Sequence, residues 1–400
     1  MPKLASDRLC TGCMACKDAC LKNAIYTKEK NRIRYIGVDS TLCVECKACE
    51  RACPIITPQR KNQPKDMKAY GGWANNPKFR HDGASGGAWS ALAEAFLKQH
   101  KDGVAIGARL ENNKVYHYAI NKVEDIPLLA NSKYIQSNTD GIYKTVKAFL
   151  KEGRWVFFSG CPCQIAALYA YLGNMRTHER LLTAGLICHG IPGEEALELH
   201  LKYYNSPRLF SFRNKENGQF YTESECTTID IDGRPVTIKR KDDVFYKIFS
   251  TWLLDRKSCS NCQYSSIERI EDITLGDFWG GADEKEFKEG VSAIIVNNQK
   301  GYDFLSKADT IHVYETSVFK VAMSNPNLYM GFKFIQYHPI ALWPDFFRRL
   351  LPESIRLAIL TRKMPWLLLW APYKIMQKIY ISWQFGQLRR KYEELWTNKK

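Results

Sequence analysis

Short apolar runs alternate with segments of helical periodicity through the middle of the chain. The runs GVAIGARL (103–110), VYHYAI (115–120) and WVFFSG (155–160) have the length and the β-branched or aromatic content typical of buried strands. A helical segment, QIAALYAYL, follows the third run, and LLTAGLICHG (181–190) with EEALELHLKYY repeats this strand–turn–helix order. This pattern predicts an α/β sheet that binds its ligands at the ends of its strands.

The same pattern divides the chain into three regions. DITLGDFWGG (272–281) and VSAIIVNN (291–298) predict two more strands, whereas the polar, proline-containing segment ITPQRKNQPKDMK (56–68) is typical of a linker. We therefore expect an N-terminal domain over residues 1–60, a larger α/β domain over 70–335 and a C-terminal extension over 336–400.

Composition narrows the class of protein. Hydrophobic residues make up 45% and charged residues 25% of the 400 positions, which is ordinary for globular protein, but the net charge of +16 favours acidic partners. The first residues lack the apolar core of a signal peptide, and no run of about 18 apolar residues predicts a membrane span. We expect a cytoplasmic protein, in which fourteen cysteines indicate metal binding or redox chemistry rather than disulfides.

Eight cysteines form two runs of one spacing. CTGCMACKDAC (10–20) and CVECKACERACP (43–54) both read C-x2-C-x2-C-x3-C, the bacterial ferredoxin run for four-iron (4Fe-4S) clusters. We expect the first three cysteines of each run on a tight loop, and the fourth at the start of a short helix, pointing to the other cluster. Zinc ribbons fit less well, because zinc prefers two separated C-x2-C pairs.

The N-terminal region is thus predicted to be an α+β ferredoxin-like domain with two clusters. Their ligand sets would be Cys10, Cys13, Cys16 and Cys53 for the first, and Cys20, Cys43, Cys46 and Cys49 for the second.

Four of the remaining cysteines suggest a third cluster. Cys163 lies in the turn after one predicted strand, Cys188 lies at the end of another, and Cys259 and Cys262 precede a third strand. If the strands are neighbours, these sulfurs meet at one rim of the sheet. The alternative is that Cys163 and Cys188 are small buried residues, while the C-x-x-C pair binds zinc with other partners.

Several stretches, in the same order along the chain, resemble the family of coenzyme F(420)-type hydrogenase and dehydrogenase beta subunits over roughly residues 70–335. They are SKYIQS (132–137), PCQIAAL (162–168), LICHGIP (186–192), CSNC (259–262) and DITLGDFWG (272–280). The resemblance implies a flavin-binding domain with FAD and a third four-iron cluster, held at the positions that are here Cys163, Cys188, Cys259 and Cys262. Cys161 is an additional thiol in the same turn, and the choice between Cys161 and Cys163 stays open.

The flavin contacts are sought at two kinds of turn. HDGASGGAWSALAEAFL (81–97) is a glycine-rich turn that leads into a helix, where Ser85, Gly86 and Gly87 offer N–H groups to a pyrophosphate. Such a turn alone is usually just a helix start, but within the resemblance we expect it to contact FAD. The further candidates are Lys133, Tyr134, Ser159, Gly160, Gln164, Asp277 and Trp279, with a surface position for Lys133 and a core position for Trp279 as alternatives.

Two residues are candidates for substrate chemistry. His189 follows a proposed cluster ligand and is expected to protonate a substrate after hydride transfer, the alternative being a hydrogen bond within its loop. Arg213 suits an acidic substrate group, although an ordinary surface arginine is the alternative.

These features predict an iron–sulfur flavoprotein oxidoreductase. It would pass electrons from ferredoxin, another low-potential donor or a deazaflavin through the clusters to FAD, and on to a substrate of cell-surface polysaccharide or lipid-linked sugar metabolism. The alternative is an electron-transfer subunit of a larger hydrogenase or dehydrogenase complex without its own substrate. A nucleic-acid partner is not expected, because no nucleic-acid-binding fold is recognised.

The C-terminal extension is basic and aromatic. Residues 341–400 contain twelve Lys and Arg against four Asp and Glu, with eleven aromatic residues interleaved. A mainly helical extension of this composition suits the inner face of an anionic membrane, or equally a position packed on the body or on a second subunit.

Overall fold

The computed structural model describes residues 1–30, 32–215, 226–250, 254–281, 284–330, 375, 378–379, 382–383 and 385–391. The boundary expected at residue 335 and most of the 336–400 extension lie outside these residues. The described part is a mixed α/β protein. Within it, no helix combines the length and the apolar character that crossing a membrane requires.

The N-terminal region contains one hairpin and two short helices. Strands β1 (Ile25–Lys30) and β2 (Ile33–Val38) pair antiparallel, and helices α1 (Ala15–Asp18) and α2 (Ala48–Arg51) lie inside the two cysteine runs. Each helix begins immediately before the third cysteine and ends before the fourth, so the expected helix start at the fourth cysteine was wrong.

The cause lies one residue before each helix. Met14 and Lys47 have left-handed backbones, with φ of 60° and 57°, and reverse the chain before the third cysteine. The helical turn therefore follows at once, and the fourth cysteine is carried past its end.

The central sheet has eight strands in the order β13–β3–β12–β11–β7–β6–β4–β5, and a second sheet has the order β10–β9–β8. In chain order the strands are β3 Lys68–Ala74, β4 Val104–Glu111, β5 Lys114–Ile120, β6 Val156–Gly160, β7 Leu181–Leu186, β8 Leu209–Asn214, β9 Cys226–Ile231, β10 Arg234–Lys239, β11 Ile273–Asp277, β12 Ser292–Val296 and β13 Ile311–Thr316.

Four neighbouring strands, β4, β6, β7 and β11, run parallel, and their carboxyl ends form one rim. The strands β6 and β7 lie side by side, with Val156 opposite Leu181. Cys188 lies in the loop beyond β7, two residues after the strand ends. The arrangement brings the loops after β6 and β7 to the same edge, where parallel sheets commonly bind ligands.

Helices cover both faces of the central sheet. The successive residues Phe157 and Phe158 of β6 are fully buried on opposite faces, in two separate apolar clusters. The remaining helices, in chain order, are α3 Pro77–Asp82, α4 Ala88–Gln99, α5 Ile126–Leu129, α6 Ile142–Lys151, α7 Pro162–Leu172, α8 Glu195–Tyr203, α9 Val244–Phe249, α10 Glu284–Glu289, α11 Gln299–Leu305 and α12 Val318–Ser324.

The N-terminal region is docked on the body through α6. The buried carboxylate of Asp18 accepts hydrogen bonds from the N–H groups of Gly141 and Tyr143, at 2.8 and 3.1 Å. These groups belong to the first turn of α6, where N–H donors lack partners within the helix. Asp18 therefore caps a helix of the other domain. The linker is held as well, because the backbone N–H of Asn62 donates to the backbone carbonyl of Arg269 at 2.6 Å.

Removing this cap should loosen the junction. In Asp18→Ala protein we expect the free energy of unfolding to fall by about 1 kcal/mol, as is typical of a lost helix cap. We also expect faster protease cleavage in the 56–62 linker. The matched control is Asp39→Ala, because the Asp39 carboxylate accepts its hydrogen bonds from Thr41 of the same loop, at 2.6 and 2.9 Å. Equal cleavage rates for the two variants would show that Asp18 does not hold the domains together.

Candidate redox centres and the adjoining pocket

The two ferredoxin runs line two neighbouring cavities. The first cavity, of about 20 Å³, is lined by Cys10, Cys13, Cys16 and Cys53. The second cavity, of about 150 Å³, is lined by Cys20, Cys43, Cys46 and Cys49. Each cavity thus combines three cysteines of one run with the fourth cysteine of the other, as the spacing predicts. Cys16 and Cys49 share one apolar cluster, so the two cavities adjoin.

The thiols of the first cavity are strongly shielded from water. Burial raises the pKa of Cys13 to about 12, and it also raises the pKa values of Cys10 and Cys16. Such thiols are protonated near neutral pH and bind iron with release of their protons. Four thiols around one cavity, three of them buried, are a donor set that fits a four-iron cluster.

A third cavity, of about 40 Å³, lies at the carboxyl ends of β6 and β7. Five thiols line it: Cys161, Cys163, Cys188, Cys259 and Cys262. The structure therefore brings together all four cysteines proposed for the third cluster, with Cys161 as a fifth. Within the described part of the chain, no three His, Cys, Asp or Glu side chains are grouped closely enough for a single metal ion.

Cys161 and Cys163 occupy different places around this cavity. Cys163 lines the third cavity together with Cys188, Cys259 and Cys262, and burial raises the pKa of its thiol well above the ordinary value. Cys161 forms a hydrogen bond with Cys188, which is the first cause of its raised pKa, followed by burial. Only Cys161 of the two also lines the large pocket described below.

Tyr264 joins the first and third cavities. It lines the third cavity, and its hydroxyl donates to the carbonyl of Pro54 at 3.5 Å, while Pro54 lines the first cavity. Cys13 of the first cavity and Cys163 of the third pack against the same apolar cluster. The two cavities are thus separated by little more than one layer of side chains.

A large pocket of about 230 Å³ opens beside the third cavity, at the same rim of the sheet. Cys161, Gln164 and Cys188 line both spaces. Most of the residues proposed from the sequence line this pocket: Ser85, Gly87, Lys133, Tyr134, Ser159, Gly160, Gln164, His189 and Asp277. Gly86 and Trp279 do not.

The two exceptions have structural causes. A Cβ on Gly86 would lie 2.4 Å from the carbonyl oxygen of Gly72, so this glycine allows close packing against β3 instead of facing the pocket. Trp279 follows the end of β11 and packs edge-on against Phe287, with ring centroids 6.0 Å apart. Both predictions of a flavin contact are therefore corrected: these residues lie outside the pocket wall.

Arg213 lies behind the pocket wall. It is fully buried, and its guanidinium donates to the Asp277 carboxylate at 3.0 Å, which also accepts a hydrogen bond from the Ser85 hydroxyl. The adjacent Arg213 charge holds the pKa of Asp277 below its usual range despite burial. The surface position is therefore wrong, and Arg213 fixes Asp277, which lines the pocket, without lining the pocket itself.

Lys133 combines a place in the pocket wall with a role at a helix end. Its ammonium donates to the carbonyl oxygens of Leu129 and Asn131, at 2.8 and 3.2 Å, and to that of Ala130. Burial lowers its pKa to about 7. Lys133 thus caps the end of α5 and carries its full charge only below neutral pH.

Two residues of the pocket were missed from the sequence. The indole N–H of Trp89 donates to the Ser159 hydroxyl at 2.8 Å, and His117 lies 3.0 Å from the Ser159 carbonyl oxygen and 2.7 Å from the Ser137 hydroxyl. Burial lowers the pKa of His117 to about 4, so it is neutral at physiological pH. The available signals were the position of Trp89 just after the glycine-rich turn and the inward side of β5 for His117.

His189 lies in the pocket wall beside Cys188. Its Nδ1 is 2.7 Å from the Asn327 side-chain nitrogen, which orients the ring. Asn327 lies 138 residues further along the chain, so this hydrogen bond is not the one within the loop that was the alternative, and the same position leaves His189 next to any molecule in the pocket. The hydrogen bond to Asn327 and a contact with a bound molecule are therefore compatible.

Two family models match the chain. Residues 153–320 match the C-terminal part of the coenzyme F(420) hydrogenase/dehydrogenase beta subunits, and residues 9–55 match a 4Fe-4S dicluster domain. The match to the dicluster domain covers the cysteine runs that line the first and second cavities. The match to the beta subunits includes the five cysteines that line the third cavity.

Individual proteins are similar over larger parts. The F subunit of the F(420)H(2) dehydrogenase of Methanosarcina mazei is 24% identical over 200 residues, which cover 47% of this chain and 56% of that protein. An uncharacterised protein of Methanocaldococcus jannaschii is 24% identical over 335 residues, 75% of this chain and 86% of its own. A solved chain of the F(420)-reducing NiFe hydrogenase complex from Methanosarcina barkeri is 16% identical, with a TM-score of 0.43 and coverage of 64% and 85%.

Proposed function

Because the chain belongs to the family of coenzyme F(420) hydrogenase/dehydrogenase beta subunits and carries a 4Fe-4S dicluster domain, we propose that it is an electron-transfer iron–sulfur subunit of an oxidoreductase. The supporting observation is the row of adjoining spaces. The second, first and third cavities carry thiols, and the third shares Cys161 and Cys188 with the large pocket. Such a row suits stepwise electron transfer between closely spaced centres.

In the proposed assignment, each thiol-lined cavity holds one four-iron cluster and the large pocket holds FAD. FAD supplies the conversion between one-electron and two-electron transfer. The chain supplies three things to this pocket. They are apolar wall residues such as Trp89, the N-terminus of the twelve-residue helix α4, and the Asp277 carboxylate, which Arg213 holds in place. The thiols hold the clusters within the protein and limit their contact with water.

The proposed entry for electrons is the second cavity. Cys46 is exposed there, and Leu21 and Val44 at the same cavity are 90% and 60% exposed. The basic residues Lys22 and Lys47 line this cavity too, so the face combines apolar contact with positive charge. We propose that ferredoxin or another acidic low-potential protein exchanges electrons at this face.

The inner end of the row is the large pocket. A flavin held by the residues of this pocket would supply hydride exchange with a deazaflavin, or electron transfer to a partner subunit. A second candidate function is a reductase with its own substrate, in polysaccharide or lipid-linked sugar metabolism, and the position of His189 in the pocket wall favours it. Purification from the native host separates the two: a stable partner without turnover of small substrates supports the first role, and turnover by the chain alone supports the reductase.

The described end of the extension packs on the body. The Phe385 ring lies 4.9 Å from that of Phe319, and Lys391 pairs with Glu268 at 3.2 Å. Ile375 and Ile379, one helical turn apart, are 60% and 64% exposed. We propose that a cytoplasmic protein of this kind contacts the inner membrane face through these apolar positions and the basic residues around them.

Flavin binding is tested by filling the pocket. Ala108 of β4 lines it, so we expect Ala108→Trp protein to lose most of its FAD while it keeps its iron, measured by flavin absorbance and iron analysis after anaerobic purification. Leu128→Trp is the control, because Leu128 is 41% exposed and precedes the pocket residue Leu129. Equal flavin content in both variants, or no flavin in the unchanged protein, would remove FAD from this pocket.

A further inference from the structure

Arg256 is a buried cation at the junction of the two domains. Its side chain is 3% exposed, and its guanidinium donates to the carbonyl of Cys10 at 3.0 Å and to that of Arg34. It also donates twice to the Gln136 side-chain oxygen, at 3.2 and 3.1 Å. Every one of these acceptors is a neutral carbonyl.

The charge of Arg256 is not matched by a carboxylate. Among the described residues no acidic side chain pairs with it, whereas Arg269, the other arginine of the third cavity wall, pairs with Glu271 at 2.7 Å. A buried charge without an opposite charge is costly. Buried charges are as a rule paired, so an opposite charge carried by a bound group would complete this site.

The position of Arg256 identifies that group. The residue lines the third cavity, and it is bonded to the backbone of Cys10, which lines the first. Four-iron clusters held by four thiolates carry net negative charge, and net charge is one of the factors that set their reduction potentials. Arg256 thus lies between the two places where negative charge is expected.

Gly12 is adapted to the same contact. A Cβ at this position would lie 2.2 Å from the Arg256 Nη2 and 2.7 Å from the Gln136 Nε2, and the φ of Gly12 is +65°. Any larger residue would push the guanidinium away from the first cysteine loop.

We propose that Arg256 is a positioning residue that supplies the shared counter-charge for the first and third clusters and raises the reduction potentials of both. This inference rests on the proposed clusters and goes beyond them. Adding one electron to either cluster increases its negative charge, so a fixed nearby cation favours the reduced form. The outer cluster, in the second cavity, has no such contact with Arg256.

The test is a redox titration of the purified, cluster-containing protein, followed by electron paramagnetic resonance. In Arg256→Gln protein we expect the equilibrium constant for reduction of the first and third clusters to fall by about tenfold or more. A tenfold fall lowers the reduction potential of a one-electron couple by about 59 mV. The outer cluster, identified by its loss in the Cys20→Ser protein, should keep its potential. Unchanged potentials, or an equal shift of all three clusters, would overturn the proposal.

Arg256→Lys distinguishes charge from hydrogen bonding. The ammonium keeps the charge but loses the forked contact to Gln136 and Cys10, so both potentials should stay close to the unchanged protein, even if the junction becomes more sensitive to protease. A tenfold fall in this variant would overturn the proposal, and the comparison remains informative if Arg256→Gln protein does not fold. If the unchanged protein, purified without oxygen, contained no iron, the proposed clusters themselves would be contradicted.

Discussion

Cys259→Ser protein, purified without oxygen, is expected to contain about eight irons per chain, against about twelve in the unchanged protein. The reason is that the Cys259 thiol lines the third cavity and neither of the other two. Serine removes a thiolate ligand without a large change in volume, so the two ferredoxin clusters should remain. Iron and sulfide analysis measures the loss.

The neighbouring thiols Cys161 and Cys163 provide a matched pair for the same measurement. Of these two thiols, Cys163 lines only the third cavity, whereas Cys161 also lines the large pocket, so we expect Cys163→Ser to lose about four irons and Cys161→Ser to lose none. The reverse result would assign the ligand to Cys161. Iron content that is unchanged in Cys259→Ser protein would contradict the third cluster.

Pairs of substitutions in the ferredoxin runs should show which cysteines share a cluster. Cys53→Ser combined with Cys10→Ser should cost about four irons, because both thiols line the first cavity. Cys53→Ser combined with Cys43→Ser should cost about eight, because Cys43 lines the second cavity. Iron analysis and the integrated spectrum of the reduced clusters measure the difference.

The single variants are the controls for this experiment. Each should lose about four irons, so a larger loss would indicate general unfolding of the domain and not the removal of one ligand. If the pair within one run, Cys43→Ser with Cys53→Ser, lost no more iron than either single variant, the exchange of the fourth cysteine between runs would be wrong.

The sequence was most informative where chemistry depends on local spacing. The cysteine runs predicted two groups of four thiols because each loop is short and its geometry depends on few residues. The parallel arrangement of β6 and β7 followed from two strand–turn–helix units, and it places Cys163 and Cys188 at one rim. These predictions required only neighbours along the chain or one rule about strand ends.

Predictions failed where a side chain's direction depends on distant packing. Gly86 and Trp279 belong to promising motifs, yet β3 and Phe287 decide which way they face. Arg213 was expected near the surface or a substrate, but its partner Asp277 lies 64 residues away in the sequence. Nothing local distinguishes Arg256 from an ordinary arginine, since its contacts come from residues 10, 34 and 136.

The distribution of the thiols along the chain has a consequence for biosynthesis. The eight cysteines of the first two cavities lie within residues 10–53, whereas the third cavity needs the loops after β6 and β7 together with residues 259 and 262. All eight cysteines that line the first and second cavities are therefore synthesised early in translation. If the third cavity holds the proposed cluster, its iron would have to be delivered after more than half of the polypeptide has been made and the central sheet has formed.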